Sequence, residues 1–182
     1  MRIVSVLFAA RNSVYKQMEG VEVFDIVRNA KTFLGNTPIV AHPPCRAWSA
    51  FLSHQAKPEV GEKELGLWAC EQLRKCGGVL EHPAHSRLFG AGNLPIPGNG
   101  ERGGIWSLEV LQRWWGYPLQ KRTWLAFCGV PQRTIEIPYI LSSREVPFSS
   151  MSKHQRAATC MPFAKFLVSA ARSSVLNTQE VF

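Results

Sequence analysis

No Cys-x-x-Cys pair occurs in this sequence of 182 residues, and its five cysteines (Cys45, Cys70, Cys76, Cys128, Cys160) are odd in number and widely spaced. A disulfide framework is not expected, and the thiols read as reduced. Acidic residues are scarce: 13 Asp plus Glu stand against 21 Lys plus Arg, a net charge of +8. That balance favours a polyanionic partner, nucleic acid ahead of a membrane surface. No apolar stretch approaches the roughly 18 residues of a membrane span. The N-terminus has neither the long apolar core nor the small-residue cleavage site of a signal peptide, so a cytoplasmic protein is expected. Repeats and low-complexity tracts are also missing. What remains, 46% hydrophobic and 19% charged, is the balance of one globular domain over residues 1–182 with a proper core.

The first apolar run, Ile3 to Ala10, reads as a central parallel strand buried on both faces. Asn12 or Ser13 can cap a short helix through Met18. Gly20 ends it, and Val21 to Ile26 form a second strand closing on Asp25. This is a βαβ opening. An acidic residue near the end of the second strand takes a ribose hydroxyl in nucleotide-binding α/β folds, which makes Asp25 a candidate; otherwise it is a solvated strand-end carboxylate. Arg28 to Phe33 is a short helical connection, and Gly35 to Pro38 turns into the next strand.

That strand, Ile39 to Ala41, is stopped by Pro43-Pro44 and followed at once by Cys45. Strand C-termini line the ligand crevice of an open α/β sheet, so Cys45 is presented at the mouth of a site. We read it as a nucleophile, the other reading being a small buried hydrophobe. Ser53 to Gly61, with His54 and Lys57, is a polar loop. Glu62 to Cys76 shows a helical stripe of Leu65, Trp68, Ala69, Leu73 and Cys76, ended by Gly77-Gly78. Val79 and Leu80 then lead to Glu81, with His82-Pro83 ending another strand. A right-handed crossover puts Cys45 and Glu81 on the same edge of the sheet. An apolar neighbourhood is expected to raise the pKa of Glu81 and suit it to donate a proton.

Further on, Gly90 to Gly104 reads as a long surface loop. Ile105 to Trp115 reads as an aromatic-rich helix, and Trp124 to Val130 as a buried strand entered through Lys121 and Arg122. Ile135 to Leu141 reads as an edge strand. Ser152 to Ser173 is a basic terminal helical segment interrupted near Pro162, and Ser174 to Phe182 a frayed tail. The fold class is α/β: a Rossmann-like three-layer fold with a mostly parallel central sheet.

Three ordered motifs carry a resemblance. His42-Pro43-Pro44-Cys45 after a strand, Glu81-His82-Pro83 after the next, and Gly116 to Thr123 with Gln120-Lys121-Arg122 before another resemble those of the DNA cytosine-5 methyltransferases. The likeness is greatest to the small, often phage-encoded proteins of that type, and runs from about Ile3 to Val130. It implies that the Cys45 thiolate adds to C6 of a pyrimidine, that Glu81 as an acid holds N3, and that C5 takes a methyl group from S-adenosylmethionine. It further implies Arg122 steadying the base or the cysteine, Phe8, Ala9, Asp25 and Pro43 around the cofactor, and His42, Pro44, His82 and Lys121 around the substrate. DNA would be the partner, its target base leaving the stack. Where the family carries Phe-x-Gly-x-Gly, this sequence has Phe8-Ala9-Ala10-Arg11-Asn12-Ser13.

Two other readings compete. His42-x-x-Cys45 and His82-x-x-His85 have zinc-ligand spacing at adjacent strand mouths. A basic domain without catalysis, binding nucleic acid or a host protein on the same fold, is the other.

Overall fold

The structure, a computed structural model, describes residues 1–49, 57–138 and 146–175. Six strands form one mixed sheet in the order β2-β1-β3-β4-β6-β5. They are β1 (Val4–Leu7), β2 (Val21–Phe24), β3 (Ile39–Ala41), β4 (Gly78–Pro83), β5 (Ile105–Leu111) and β6 (Arg122–Cys128). The first four run parallel. Strand β6 runs antiparallel to β4, and β5 antiparallel to β6. The protein is thus α/β with a sheet that is mostly, not wholly, parallel.

Strands β1, β3 and β4 are buried without alternation, Pro83 apart, because both of their faces are covered, and their side chains are apolar except for Ser5, Glu81 and His82. One face packs on α1 (Glu62–Cys76) and α2 (Arg87–Ala91) through Ala69, Leu73, Leu88 and Phe89. The other packs on α4 (Met161–Arg172) through Phe163, Leu167 and Ala171. Helix α1 has the bounds its stripe predicts, carries Glu62 and Glu64 in its first turn and Arg74 and Lys75 in its last, and is closed by Gly77. Among the described residues no helix is long and apolar enough to cross a membrane.

Several expectations need correction. Ile105 to Leu111 is a strand, and only Gln112–Trp115 is helical, as a single 3-10 turn. Trp106, Leu108 and Val110 alternate with Ser107 and Glu109, and the apolar set faces the α4 side. Trp106 stacks on Phe127 of β6 at 4.4 Å. The surface loop begins at Gly92 and not at Gly90, since Gly90 and Ala91 close α2, which Ser86 caps and which buries Leu88 and Phe89. The terminal helical segment is two helices, α3 (Lys153–Ala157) and α4, with Pro162 in the first turn of α4 where its missing N–H costs nothing. Residues 135–138 form no strand, and the remainder of that stretch lies outside the described residues, as does His54. Nor is the chain frayed from Ser174: that residue is fully buried, and Val175 N–H donates to the Gly129 carbonyl at 2.7 Å. Residues 176–182 lie outside the described residues.

Candidate functional site

The register of β3 on β4 pairs Ala41 with Leu80, so His42, the first residue past β3, stands beside Glu81 of β4. His42 Nδ1 stands 3.0 Å from Glu81 Oε2. Pro43 and Pro44 then carry the chain out to Cys45, which is exposed at the start of the short helical turn Arg46–Trp48. Arg46 ties that turn to α1 through Glu62 at 3.2 Å and to Glu59 at 2.9 Å. On the other side of β4, Gln112 N–H donates to the Lys121 carbonyl at 3.1 Å and closes the end of the β5–β6 hairpin. This brings both residues to the mouth of β4.

A cavity of about 400 Å³ opens here, within the range of small-molecule sites. Its walls come from the turn after β1 (Phe8, Ala9 and on to Tyr15), the elbow His42 to Cys45, Glu81, Pro83, Lys121, and Arg156 to Thr159 between α3 and α4. Of the residues singled out from sequence, Phe8, Ala9, His42, Pro43, Pro44, Cys45, Glu81 and Lys121 share this one cavity.

Three others stand elsewhere. Arg122 does not line the cavity; its guanidinium pairs with Glu109 at 2.7 Å and is half exposed. The cation that faces Glu81 and Cys45 is Lys121, one residue earlier, because successive side chains on a strand point to opposite faces. His82 is buried and off the cavity wall, so it supports the site without reaching a substrate. Asp25 also lies outside the cavity. Its carboxylate accepts from Lys16 Nζ at 2.6 Å and from the Val27 and Arg28 N–H groups at 2.8 and 3.0 Å. The Lys16 hydrogen bond, with those two backbone bonds, holds its pKa down at about 2.

The electrostatics differ from the expectation for Glu81. Burial does push its pKa up, but Lys121, the hydrogen bond from His42 and the charges of His42 and His82 outweigh it, leaving the pKa at about 2. Glu81 is a carboxylate in the free protein. Although Cys45 is exposed as a residue, desolvation of its sulfur against the cavity wall pushes the thiol up and Glu81 adds to this, against the opposing pull of Lys121. Burial lowers His82 to about 4, against the pull of Glu81 and of the Pro43 and Pro44 backbone, so its imidazole is neutral.

Sequence reading missed two residues that hold Glu81 in place. Tyr15 Oη lies 2.9 Å from His42 Nε2, and Gln112 Nε2 donates to Glu81 Oε1 at 3.0 Å and to Thr123 Oγ1 at 3.0 Å. Tyr15, Gln112 and Thr123 are all buried, and a buried polar side chain amid apolar neighbours is the one signal that marks them.

Phe8 occupies the left-handed region at φ 61°. That is a strained position for a bulky residue, and it turns the chain sharply out of β1 into the cavity wall. Among the described residues no group of three or more His, Cys, Asp or Glu side chains is placed to hold a metal ion. His42 commits both ring nitrogens to Tyr15 and Glu81, and the His85 ring lies 5.2 Å from that of Trp124. The zinc alternative therefore has no geometric support. Comparison with family models, with curated proteins and with solved structures finds no match.

Proposed function

We propose that the protein modifies pyrimidine bases in the manner of a DNA cytosine-5 methyltransferase, on a Rossmann-like fold of reduced, methyltransferase-type core. One observation carries the reading: a nucleophile, a carboxylate and a cation, Cys45, Glu81 and Lys121, converge in one cavity at the mouths of adjacent strands. Cys45 as thiolate would add to C6, with Lys121 opposing the rise in its pKa. Glu81 would sit at N3 of the same ring, and the Pro43-Pro44 elbow would keep the sulfur over it.

Phe8, Ala9 and Pro43 line this cavity and fit a cofactor lying beside the base, whereas Asp25, outside it and fully engaged, does not fit the ribose role. S-adenosylmethionine, held by those three wall residues, would supply the electrophilic methyl group for C5. The cavity admits a base only out of its stack, and the positive charge suits a nucleic acid, which we propose to be DNA in the cytoplasm.

The test is release of tritium from C5-labelled deoxycytidine in an oligonucleotide, with calorimetric titration of S-adenosylmethionine alongside. Release that disappears in Cys45→Ser is the expected result. Release without cofactor binding would retain C6 addition and remove the methyl donor. A wild-type protein that binds the oligonucleotide but releases nothing would favour the binding module without catalysis.

A further inference from the structure

Glu81 is surrounded by hydrogen-bond donors and holds no proton of its own, yet addition of a thiolate to C6 needs a proton at N3. We infer that His42 is the proton store of the site and that Tyr15 and Gln112 are positioning residues that fix the His42–Glu81 pair from its two ends. The inference rests on the pyrimidine reading above.

The chain of contacts runs across four segments that are distant in sequence. Tyr15 Oη meets His42 Nε2 at 2.9 Å, and His42 Nδ1 meets Glu81 Oε2 at 3.0 Å. Glu81 Oε1 accepts from Gln112, whose amide also donates to Thr123 Oγ1. Gln112 occupies one carboxylate oxygen, which leaves the other, 3.0 Å from His42 Nδ1, as the oxygen through which a proton given up by the ring would pass. A tyrosine hydroxyl both donates and accepts, so Tyr15 can accept from an imidazolium N–H and donate to a neutral imidazole nitrogen without moving. Burial and the neighbouring Glu81 carboxylate push the Tyr15 phenol well up, so it stays protonated through the cycle. Lys121 and His82 are the other charged or titratable groups that act on Glu81. Tyr15 is itself almost wholly buried in the α4-side core, so its hydroxyl is held by packing.

The step balances without an oxidant or reductant. The Cys45 thiol gives its proton to water at the exposed mouth, and a bond forms between sulfur and C6. The C5=C6 electron pair moves to C4–C5. The C4=N3 pair takes the proton that leaves His42 through Glu81. One proton is lost to solvent and one is gained at N3, and His42 is reprotonated from water. Reversal after exchange at C5 returns every group to its starting state.

Two readouts on the full chain test this. Nitrogen-15 NMR of the wild type is expected to show a hydrogen-bonded proton on His42 Nδ1 that is displaced in Glu81→Gln and in Tyr15→Phe. In the tritium-release assay His42→Gln, which keeps hydrogen-bonding reach but has no acidic proton to give, is expected to lose about 100-fold in rate. Tyr15→Phe, which keeps the packed ring, is expected to lose about tenfold and to displace the pH profile of release. A His42→Gln rate within about threefold of wild type, or a His42 Nδ1 without its hydrogen-bonded proton, overturns the relay alone. A wild type that releases no tritium overturns the pyrimidine reading, and with it the destination assigned to the proton.

Discussion

Glu81 and His82 are neighbours in sequence on opposite faces of β4, and both have pKa values lowered in the fold. Glu81 faces Lys121 and His42 and is stabilised as an anion; His82 is enclosed beneath the proline elbow and stabilised as a neutral ring. The consequences for acid stability share a sign. On acidification the unfolded chain protonates His82 near 6.5 while the folded chain resists until about 4, so stability is lost as pH falls across that interval. The full shift corresponds to about 3 kcal/mol. Glu81 extends the loss from its ordinary value of 4.5 toward about 2. Urea midpoints are therefore expected to fall from pH 7 to pH 4, and His82→Gln should flatten that decline. Parallel declines for variant and wild type would show that His82 does not carry the effect. A second residue-scale prediction separates the adjacent cations. Lys121→Met should slow alkylation of Cys45 by iodoacetamide about tenfold at pH 8 by raising the thiol pKa, whereas Arg122→Met should leave it within about twofold. Equal effects of the two would contradict the placement of Lys121 over the site.

The elements that position the cysteine meet at places with no room for a side chain. A Cβ on Gly66 of α1 would stand 2.4 Å from Trp48 Nε1 and 3.1 Å from Leu88. Alanine at 66 gains about 1 kcal/mol in helix propensity but overpacks the turn that carries Cys45, at a cost of about 1–3 kcal/mol. Gly66→Ala is thus expected to lower or leave flat the melting temperature and to change the alkylation rate of Cys45. A clear rise in melting temperature with an unaltered rate would mean that Trp48 yields freely. Gly78 is more severe, since its φ of 116° and a Cβ 2.0 Å from the Ile39 carbonyl oxygen leave no relaxed alternative at the β3–β4 seam. The pattern of legibility follows from the same packing. Helix α1 could be read from its stripe and glycine stop, and β3 and β4 from apolar runs that end in proline. Strand β5 could not, because Trp106, Leu108, Val110, Leu111, Trp114 and Trp115 satisfy helical spacing as well as alternation, and only pairing with β6 decides between them. Helix α2 was hidden by its shortness and by Gly90, since what fixes it is burial of Leu88 and Phe89. Cys45 and Glu81 were legible because one follows the end of β3 and the other lies in the last half of β4, each next to a proline stop in the chain. Tyr15 and Gln112 were not, because their role exists only once β1, β3, β4 and the β5–β6 hairpin are side by side.

At the scale of the whole molecule, the net charge of +8 concerns association and not the fold. Among the described residues, Lys16 and Arg46 meet the buried carboxylates of Asp25 and Glu62, while Arg28 and Arg122 meet carboxylates at partly exposed positions, where such pairs contribute little. The excess of cations over carboxylates is what remains available to a polyanion. If binding of a cytosine-containing single strand neutralises about four phosphates, the logarithm of affinity should fall with that of salt concentration at a slope of about −3, or about 50-fold between 50 and 200 mM salt. A mismatched or single-stranded target should bind tighter than a paired one, because the base reaches the cavity without the cost of unstacking. Lys121→Met should reduce the affinity for a strand containing cytosine more than for one containing only purines, since Lys121 lies in the cavity wall and a distant surface cation would weaken both alike. Fluorescence anisotropy across a salt series measures all three quantities. A slope near zero, or equal loss for both strands, would place nucleic-acid binding away from the Cys45 cavity and separate the charge of the molecule from the chemistry of its site.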